Sequence, residues 1–197
     1  MKKIKPETKR RVFHITNGII AVGLIYFEIL TPLFLIVILI AGGIACLLSL
    51  RYKIPLVNFL LKHLERPEDI KIFPGKGSFY YVLGILLVLV LFDKDIAMAS
   101  IMILALGDSI APLIGQYYGK IKHPLSDKKF LEGTVAGGIA AFLGAVIFVS
   151  PVEAAFASIA AMIAEGINIK FSGISINDNI SMPVTAGAVI WLLRLIL

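Results

Sequence analysis

The feature that most constrains this chain is a series of apolar runs that leaves little room for anything else. Hydrophobic residues make up 58% of the 197 residues and charged residues only 16%, whereas a soluble domain has about 25% charged residues. A membrane-spanning helix needs roughly 17–25 mostly apolar residues. We expect spans near residues 12–30, 32–50, 78–92, 96–116, 133–149, 151–165 and 182–197. The sequence therefore predicts an all-α, polytopic membrane helix bundle of about seven spans.

Basic residues in the connections indicate the orientation of these spans. Lys and Arg together number six in 1–11, six in 51–76 and four in 117–131, whereas the connections on the opposite side hold only Lys94. Because positively charged loops stay in the cytoplasm, the N-terminus is predicted to be cytoplasmic. The net charge of +6 has the same explanation, and no aromatic–basic interleaving accompanies it, so we expect no nucleic acid partner.

The densest set of candidate site residues lies between Gly107 and Thr134, in GDSIAPLIGQYYGKIKHPLSDKKFLEGT. It begins with Asp108 inside an apolar run, and an ionised carboxylate there faces a bundle interior or a water-filled cavity, which makes it a functional candidate. Gly107 and Pro112 are expected to weaken a regular helix there, and broken helices in membranes tend to line binding sites. Carboxylates suit a divalent metal and ammonium groups suit phosphates. The stretch predicts a site for a metal and phosphates at the cytoplasmic face.

Lysines follow this aspartate, and glycines between them allow a backbone to come close to a ligand. The lysines are Lys120, Lys122, Lys128 and Lys129. Lysines in a cytoplasmic loop also attract anionic lipid headgroups, but acidic residues stand among these. Glu132 is one of them, and it either caps the next helix or helps to hold a metal.

Two further regions carry candidate residues on the same side of the membrane. Arg10, His14 and Asn17 share one face of the first helix, because their spacings are four and three. That face suits an anionic ligand, or it anchors the helix at the interface through Arg10. Lys76, between two glycines, is placed to approach a phosphate, although Pro-Gly-Lys-Gly is also an ordinary loop.

Near the C-terminus, Glu165 ends the sixth predicted span and Asp178-Asn179 precede the seventh. Their oxygen atoms are suitable ligands for magnesium, although Asp and Asn are equally common as turn and N-cap residues.

Four blocks of the sequence, in this order, resemble the CTP-dependent lipid kinases, a family that includes dolichol (polyprenol) kinase, phytol kinase and the CTP-using diacylglycerol kinase. The blocks are Arg10-Arg11 with His14, PGKG at 74–77, GDSIAPLIGQYYGK with KKFLEGT, and Ala164-Glu165 followed by Asp178-Asn179 and Pro183. The resemblance covers nearly the whole chain, and the third block is its most specific part. Arg-Arg in the first block departs from the usual Arg-Lys but keeps the charge.

The resemblance implies a single integral-membrane kinase domain over residues 1–197, with CTP as donor, Mg²⁺ as cofactor and a membrane lipid alcohol as acceptor, dolichol or polyprenol first. Asp108 would bind the metal, and Asp108 or His14 would accept the alcohol proton. The expected metal ligands are Asp108, Glu132, Glu165, Asp178 and Asn179. The expected nucleotide-binding residues are Arg10, Arg11, Lys76, Gly115, Gly119, Lys120, Lys122, Lys128, Lys129, Glu132, Gly133 and Thr134.

Several alternatives remain open at the level of sequence. Phytol or geranylgeraniol and diacylglycerol are alternative acceptors. The related CDP-diacylglycerol synthases share a GD…GR…GK…KK..EG stretch, but their C-terminal Lys-Asp, His-Gly-Gly and Asp-Arg pattern has no counterpart after Glu132, which favours phosphoryl transfer. A small transporter also suits a broken helix with an aspartate, although no convincing internal repeat is found. The small residues of 134–145 pack helices within one chain or between chains of an oligomer.

Overall fold

A computed structural model describes residues 6–52, 54–64, 70, 73–124, 126–167, 170–171 and 174–196. The helices are α1 (Pro6–Tyr26), α2 (Pro32–Ser49), α3 (Pro55–Leu64), α4 (Lys76–Leu91), α5 (Lys94–Tyr118), α6 (Leu131–Ala145), α7 (Pro151–Gly166) and α8 (Asp178–Ile196). Two short antiparallel hairpins join some of them: β1 (Lys122–His123) pairs with β2 (Ser126–Phe130), and β3 (Lys170–Phe171) pairs with β4 (Ile174–Ser175). The all-α prediction is confirmed, and the two hairpins are additions to it.

Local sequence signals explain where several of these helices begin. Thr31 and Ser150 cap α2 and α7 with their side chains, and a proline follows each cap at the first helical position, where its fixed φ suits a helix and its missing N–H costs nothing. The helices α2, α5 and α8 are long and apolar enough to cross a membrane, whereas α4 and α6 are shorter apolar helices. The count of seven spans and the cytoplasmic N-terminus stay predictions.

The helix α5 is the centre of the bundle. It packs against α1, α4, α6, α7 and α8, and its N-terminal half is buried almost without interruption from Ile96 to Ala105. By contrast, Leu35 is the buried residue of α2, whose other large apolar side chains are mostly exposed. A helix that is hydrophobic on all sides lies either in a protein core or in a membrane. The buried α5 therefore forms the core of the bundle, and the exposed apolar surface of α2 suits contact with lipid.

Small residues let α6 lie directly on α5. Gly107, Ala111 and Gly115 recur every four residues on α5, and Gly133 and Gly137 do so on α6. A Cβ at Gly133 would collide with the backbone carbonyl of Ala111, and a Cβ at Gly137 would lie 2.9 Å from the carbonyl oxygen of Gly107. Such close helix contacts through small residues are typical of membrane proteins. Small residues in the 134–145 run therefore pack within the chain.

This contact makes a prediction about two glycines of α6 that differ in their surroundings. Gly133→Ala is expected to destabilise the protein by about 1–3 kcal/mol, because the added methyl group meets backbone that cannot move aside. Gly138→Ala is the matched control, since a Cβ there would meet only Met162 Cγ, at 3.7 Å, and alanine is favoured in helices by about 1 kcal/mol. Thermal unfolding of both variants in one detergent checks the order. Equal melting temperatures would contradict the close contact.

The weakening expected near Gly107 and Pro112 does not interrupt the helix, because α5 continues through both residues to Tyr118. A proline has no N–H to donate to the carbonyl oxygen four residues earlier, which here belongs to Asp108. Arg11 of α1 donates from Nη1 to that oxygen at 2.8 Å. The neighbouring helix therefore satisfies the acceptor that the proline leaves, and the helix does not need to open.

Ion pairs hold the other end of α5. Arg194 of α8 donates from Nη2 to Asp95 Oδ2 and from Nε to Glu153 Oε1, each at 2.6 Å. Glu153 also accepts from the backbone N–H of Ser150 in the capping box of α7. The ends of α5, α7 and α8 are thus joined at the end of α5 away from Asp108.

Candidate active site

A polar cavity of about 510 Å³ lies where α1, the C-terminal half of α5, β2, α6 and the facing ends of α7 and α8 meet. Its lining residues are Glu7, Arg11, Asp108, Ala111, Pro112, Gly115, Gln116, Ser126, Lys129, Phe130, Thr134, Glu165, Gly166 and Asp178. Carboxylates and cations from five elements therefore face one space.

Arg11 and Asp108 form the ion pair that joins α1 to α5. Arg11 Nη1 lies 2.5 Å from Asp108 Oδ2, and the two side chains are only 11% and 13% exposed. The same guanidinium donates from Nε to Glu7 Oε1 at 2.9 Å, and Arg10 Nη2 lies 2.7 Å from that oxygen. A carboxylate buried this deeply needs a partner charge, and Arg11 supplies it.

His14 lies one turn further along α1. Its Nε2 is 3.7 Å from Asp108 Oδ2, and among the described residues no hydrogen-bond partner reaches this buried nitrogen. Its ring is 4.2 Å from that of Tyr81, centroid to centroid, and the Tyr81 hydroxyl donates to the His14 carbonyl oxygen at 3.2 Å. The imidazole is thus held by packing beside Asp108, with its Nε2 buried.

The contacts of α1 with α5 differ from the predicted face. Glu7 and Arg11 line the cavity, His14 lies beside Asp108, and a Cβ at Gly18 would collide with Ala105. The spacings of four, three and four place these four residues on one side of the helix. In the predicted group of Arg10, His14 and Asn17, His14 lies beside Asp108, and Arg10 reaches the site by its bond to Glu7.

Lys129 forms the second cationic contact of the cavity. Its Nζ lies 2.6 Å from Glu165 Oε1 and 3.8 Å from Asp178 Oδ2, and it also donates to the backbone carbonyl oxygen of Glu165. It lies on β2, where Ser126 and Phe130 also line the cavity. The side chain of Lys128 lies outside the described part of the structure.

Three carboxylates meet between these two cations. One oxygen each of Asp108, Glu165 and Asp178 lies within 4.8 Å of the others. The second oxygen of Glu165 is buried and, among the described residues, has no hydrogen-bond partner. Magnesium prefers oxygen ligands of this kind, shared with waters and substrate phosphates. These three carboxylates therefore fit a magnesium ion, and the second Glu165 oxygen is a further potential ligand.

Glu132 lies elsewhere. Its Oε1 accepts from the backbone N–H of Lys120 at 3.0 Å and of Ile121 at 3.1 Å, so the carboxylate holds the chain where it leaves α5. The Lys120 side chain is exposed, and Lys122 Nζ lies 4.4 Å from the centroid of the Phe130 ring. These three predicted site residues surround the β-hairpin rather than the carboxylate cluster.

Asn179 joins the PGKG block to the start of α8. Its amide nitrogen donates to the Gly77 carbonyl oxygen at 3.2 Å. Because Pro183 lacks an N–H, the Asn179 carbonyl has no helical donor, and the backbone of Gly84 comes so close to it that a Cβ would collide. Lys76 is half-buried in the first turn of α4. The contacts of Asn179 with Gly77 and Gly84 position Asp178, the residue that precedes Asn179.

The cavity thus gathers some of the predicted residues and leaves others outside it. Predicted residues that line it are Arg11, Asp108, Gly115, Lys129, Thr134, Glu165 and Asp178. Those outside its described lining are Arg10, His14, Lys76, Gly119, Lys120, Lys122, Glu132, Gly133 and Asn179. Gly119 and Gly133 instead give close contacts, with Phe130 and with α5. The roles of all these residues stay predictions.

Seven lining residues are not among the predicted site residues: Glu7, Ala111, Pro112, Gln116, Ser126, Phe130 and Gly166. A signal for Glu7 was present, because it stands three and four residues before Arg10 and Arg11, the spacing of ion pairs on one helix. Gln116 follows Asp108 by eight residues on α5, which places it on a similar side. Ser126 and Gly166 carry no such signal.

Comparisons with known proteins find relatives over most of the chain. The uncharacterized protein MJ1137 of Methanocaldococcus jannaschii is 31% identical over 186 residues, 93% of this chain and 92% of that protein. CTP-dependent diacylglycerol kinase 1 of Saccharomyces cerevisiae is 32% identical over 142 residues, 67% of this chain. Phytol kinase of a Synechocystis species is 28% identical over 195 residues, 94% of this chain and 78% of that protein. The chain spans about half (47%) of the yeast kinase. No family model and no solved structure matches.

The fold and the cavity define a helical membrane protein with carboxylates suited to a metal and cations suited to phosphates. The chain belongs to the CTP-dependent lipid kinase family, which confirms the resemblance seen in its four sequence blocks.

Proposed function

We propose that this protein transfers the γ-phosphoryl group of CTP to the hydroxyl of a membrane lipid alcohol. The observation that carries the proposal is the single cavity in which Asp108, Glu165 and Asp178 meet Arg11 and Lys129, in a chain of this family. We propose dolichol or another polyprenol as the acceptor. The names of the relatives, phytol kinase and diacylglycerol kinase, provide the alternative acceptors.

Phosphoryl transfer needs positioning and charge neutralisation more than covalent help. Mg²⁺ bound by Asp108, Glu165 and Asp178 would supply part of that neutralisation. Arg11 and Lys129 now pair with these carboxylates, and we propose that they turn to the triphosphate oxygens when nucleotide and metal bind together. No buried charge is then left without a partner at any stage, which is the condition that buried ion pairs impose.

In the transfer step, the alcohol oxygen forms a bond to the γ-phosphorus, and the bond from this phosphorus to the β-bridging oxygen breaks. CDP leaves, and the hydroxyl proton passes to a base. We propose His14 as that base, because its Nε2 has no hydrogen-bond partner in the described residues and Asp108 Oδ2 is already bound by Arg11. Asp108 is the alternative.

The His14 assignment predicts a selective kinetic effect. His14→Gln is expected to lower kcat by roughly 10²–10⁴-fold, the usual contribution of a general base, and to leave the KM for CTP unchanged. Tyr81→Phe is the control, since it removes the bond to the His14 backbone but keeps the ring that packs on the imidazole, and it should stay within a few-fold of wild type. Near-normal kcat in His14→Gln would contradict the assignment of His14 as the general base and would favour Asp108 instead.

We also propose that the protein is a single multi-pass membrane domain with this cavity at the cytoplasmic face. Arg11 and Lys129, which line the cavity, belong to the basic segments 1–11 and 117–131, and such segments remain in the cytoplasm. The alcohol then reaches the cavity sideways from the bilayer, because its tail has no need to leave the hydrocarbon layer.

The direct test uses purified protein in lipid nanodiscs with γ-labelled CTP or ATP and a panel of a polyprenol, geranylgeraniol, phytol and diacylglycerol. Label in the lipid, from CTP in preference to ATP, supports the proposal, and the best acceptor identifies the alcohol. Release of pyrophosphate with a cytidine-bearing lipid would indicate a synthase-type reaction instead. Absence of both products would overturn the enzyme assignment and favour a transporter.

A further inference from the structure

A second cavity lies between α6 and α7 and is open to the side of the bundle. It has a volume of about 420 Å³, and its wall is almost entirely apolar. It follows α6 from Thr134 to Phe142, a length of about 12 Å at 1.5 Å per residue. Ile139 and Ile159 at its edges are 58% and 60% exposed. We call this cavity the α6–α7 groove.

The inner end of the α6–α7 groove touches the polar cavity. Thr134 lines both spaces. His123 lines the groove, and its ring lies so close to Gly166, which lines the polar cavity, that a Cβ there would be 2.7 Å from His123 Cε1. The apolar α6–α7 groove thus ends beside the carboxylates and cations of the polar cavity.

We propose that the α6–α7 groove binds the hydrocarbon tail of the acceptor alcohol and delivers its hydroxyl to the polar cavity at Thr134. This inference rests on the proposed function. The adjacency of the two cavities selects the occupant: a molecule that fills both has an apolar chain and one polar end. A bilayer phospholipid in the groove would have a different consequence, since its headgroup, not a hydroxyl, would lie at Thr134.

Gly138 offers a way to close the α6–α7 groove without disturbing the helices. It lines the groove, and a Cβ there would meet only Met162 Cγ, at 3.7 Å. We expect the series Gly138→Ala, Gly138→Leu and Gly138→Phe to raise the KM for the lipid alcohol progressively, at least tenfold in the last variant. The KM for CTP should not change. Gly23→Phe on α1 is the matched control, because no heavy atom lies within 4 Å of a Cβ at Gly23.

A second measurement is independent of turnover. An alcohol with a diazirine in the middle of its tail is crosslinked to the protein in nanodiscs, and the labelled peptides are mapped. Label within residues 131–166 that falls at least fivefold in Gly138→Phe, and not in Gly23→Phe, supports the groove.

The outcomes separate this inference from the proposed function. If wild type phosphorylates an alcohol while Gly138→Phe matches it in lipid KM and in crosslinking, the groove assignment is overturned. Label that an equal amount of phospholipid displaces would also overturn it, because the groove would then hold bilayer lipid. If the tail crosslinks in the groove but no alcohol is phosphorylated, the groove is supported as the binding site of the tail and the kinase assignment is overturned.

Discussion

Asp108→Asn is expected to reduce phosphorylation of the lipid by about a thousandfold or more, equivalent to a loss of about 4 kcal/mol of transition-state stabilisation. The substitution keeps the size of the side chain and removes its charge. Asp108 is the carboxylate that shares its surroundings with Arg11, His14, Glu165 and Asp178. Removing the charge therefore weakens the proposed metal site and the alignment of His14 together. The measurement is transfer of label from γ-labelled CTP to the lipid.

A loss of activity is informative only if the variant folds, since Asp108→Asn leaves the buried Arg11 with Glu7 as its remaining carboxylate partner. Thermal unfolding of the double variant Arg11→Gln with Asp108→Asn reports whether any instability comes from that cation. Asp95→Asn is the matched control: it lies at the other end of α5, and Arg194 keeps its bond to Glu153. Near-normal turnover by folded Asp108→Asn would remove Asp108 from the metal site.

The helices could be predicted because long apolar runs in the sequence indicate spans. The ends of the helices could not, because they depend on charged and polar groups that a hydropathy pattern does not measure. The first span was expected at 12–30, whereas α1 is Pro6–Tyr26. Its first turns carry Glu7, Arg10 and Arg11, which are stabilised by pairing with one another and not by apolar burial. Glu28, with φ of 61°, adopts a left-handed conformation that a helix cannot continue. The continuity of α5 at Pro112 similarly depends on Arg11 of another helix.

The candidate site was predictable in part for the same reason. The distribution of Lys and Arg among the connections predicts that Asp108, Glu165 and Asp178 lie on the same side of the membrane. In the structure these three carboxylates lie close together. The pairing of Arg11 with Asp108 joins residues 97 apart in sequence, and it follows from the packing of α1 on α5. No periodicity in either segment contains that information.

The lysines illustrate the same limit at shorter range. In the sequence, Lys120, Lys122, Lys128 and Lys129 are equivalent cations in one loop. The β1–β2 hairpin makes them different: Lys129 reaches Glu165, whereas Lys122 lies over Phe130. A two-residue strand paired with a five-residue strand is too short for an alternation pattern to predict its register.

This difference predicts the second large effect. Lys129→Met is expected to raise the KM for CTP at least tenfold, the loss of about 1.4 kcal/mol or more of nucleotide binding, because it removes the cation that pairs with Glu165 and Asp178. Lys122→Met is the matched control on the same hairpin, and its effect on the KM should be under threefold. Both constants are measured with the lipid alcohol at saturation.

Lys129→Met also removes the partner of Glu165, a side chain that is 5% exposed, and breaking a buried ion pair in this way destabilises a protein by about 3–5 kcal/mol. Adding Glu165→Gln to Lys129→Met separates the two consequences. The second substitution should restore much of the lost thermal stability, because no buried charge is then unpaired, but it should not restore the KM for CTP. Recovery of nucleotide affinity in the double variant would show that Lys129 acts through the fold alone, and that the phosphates are bound by other cations.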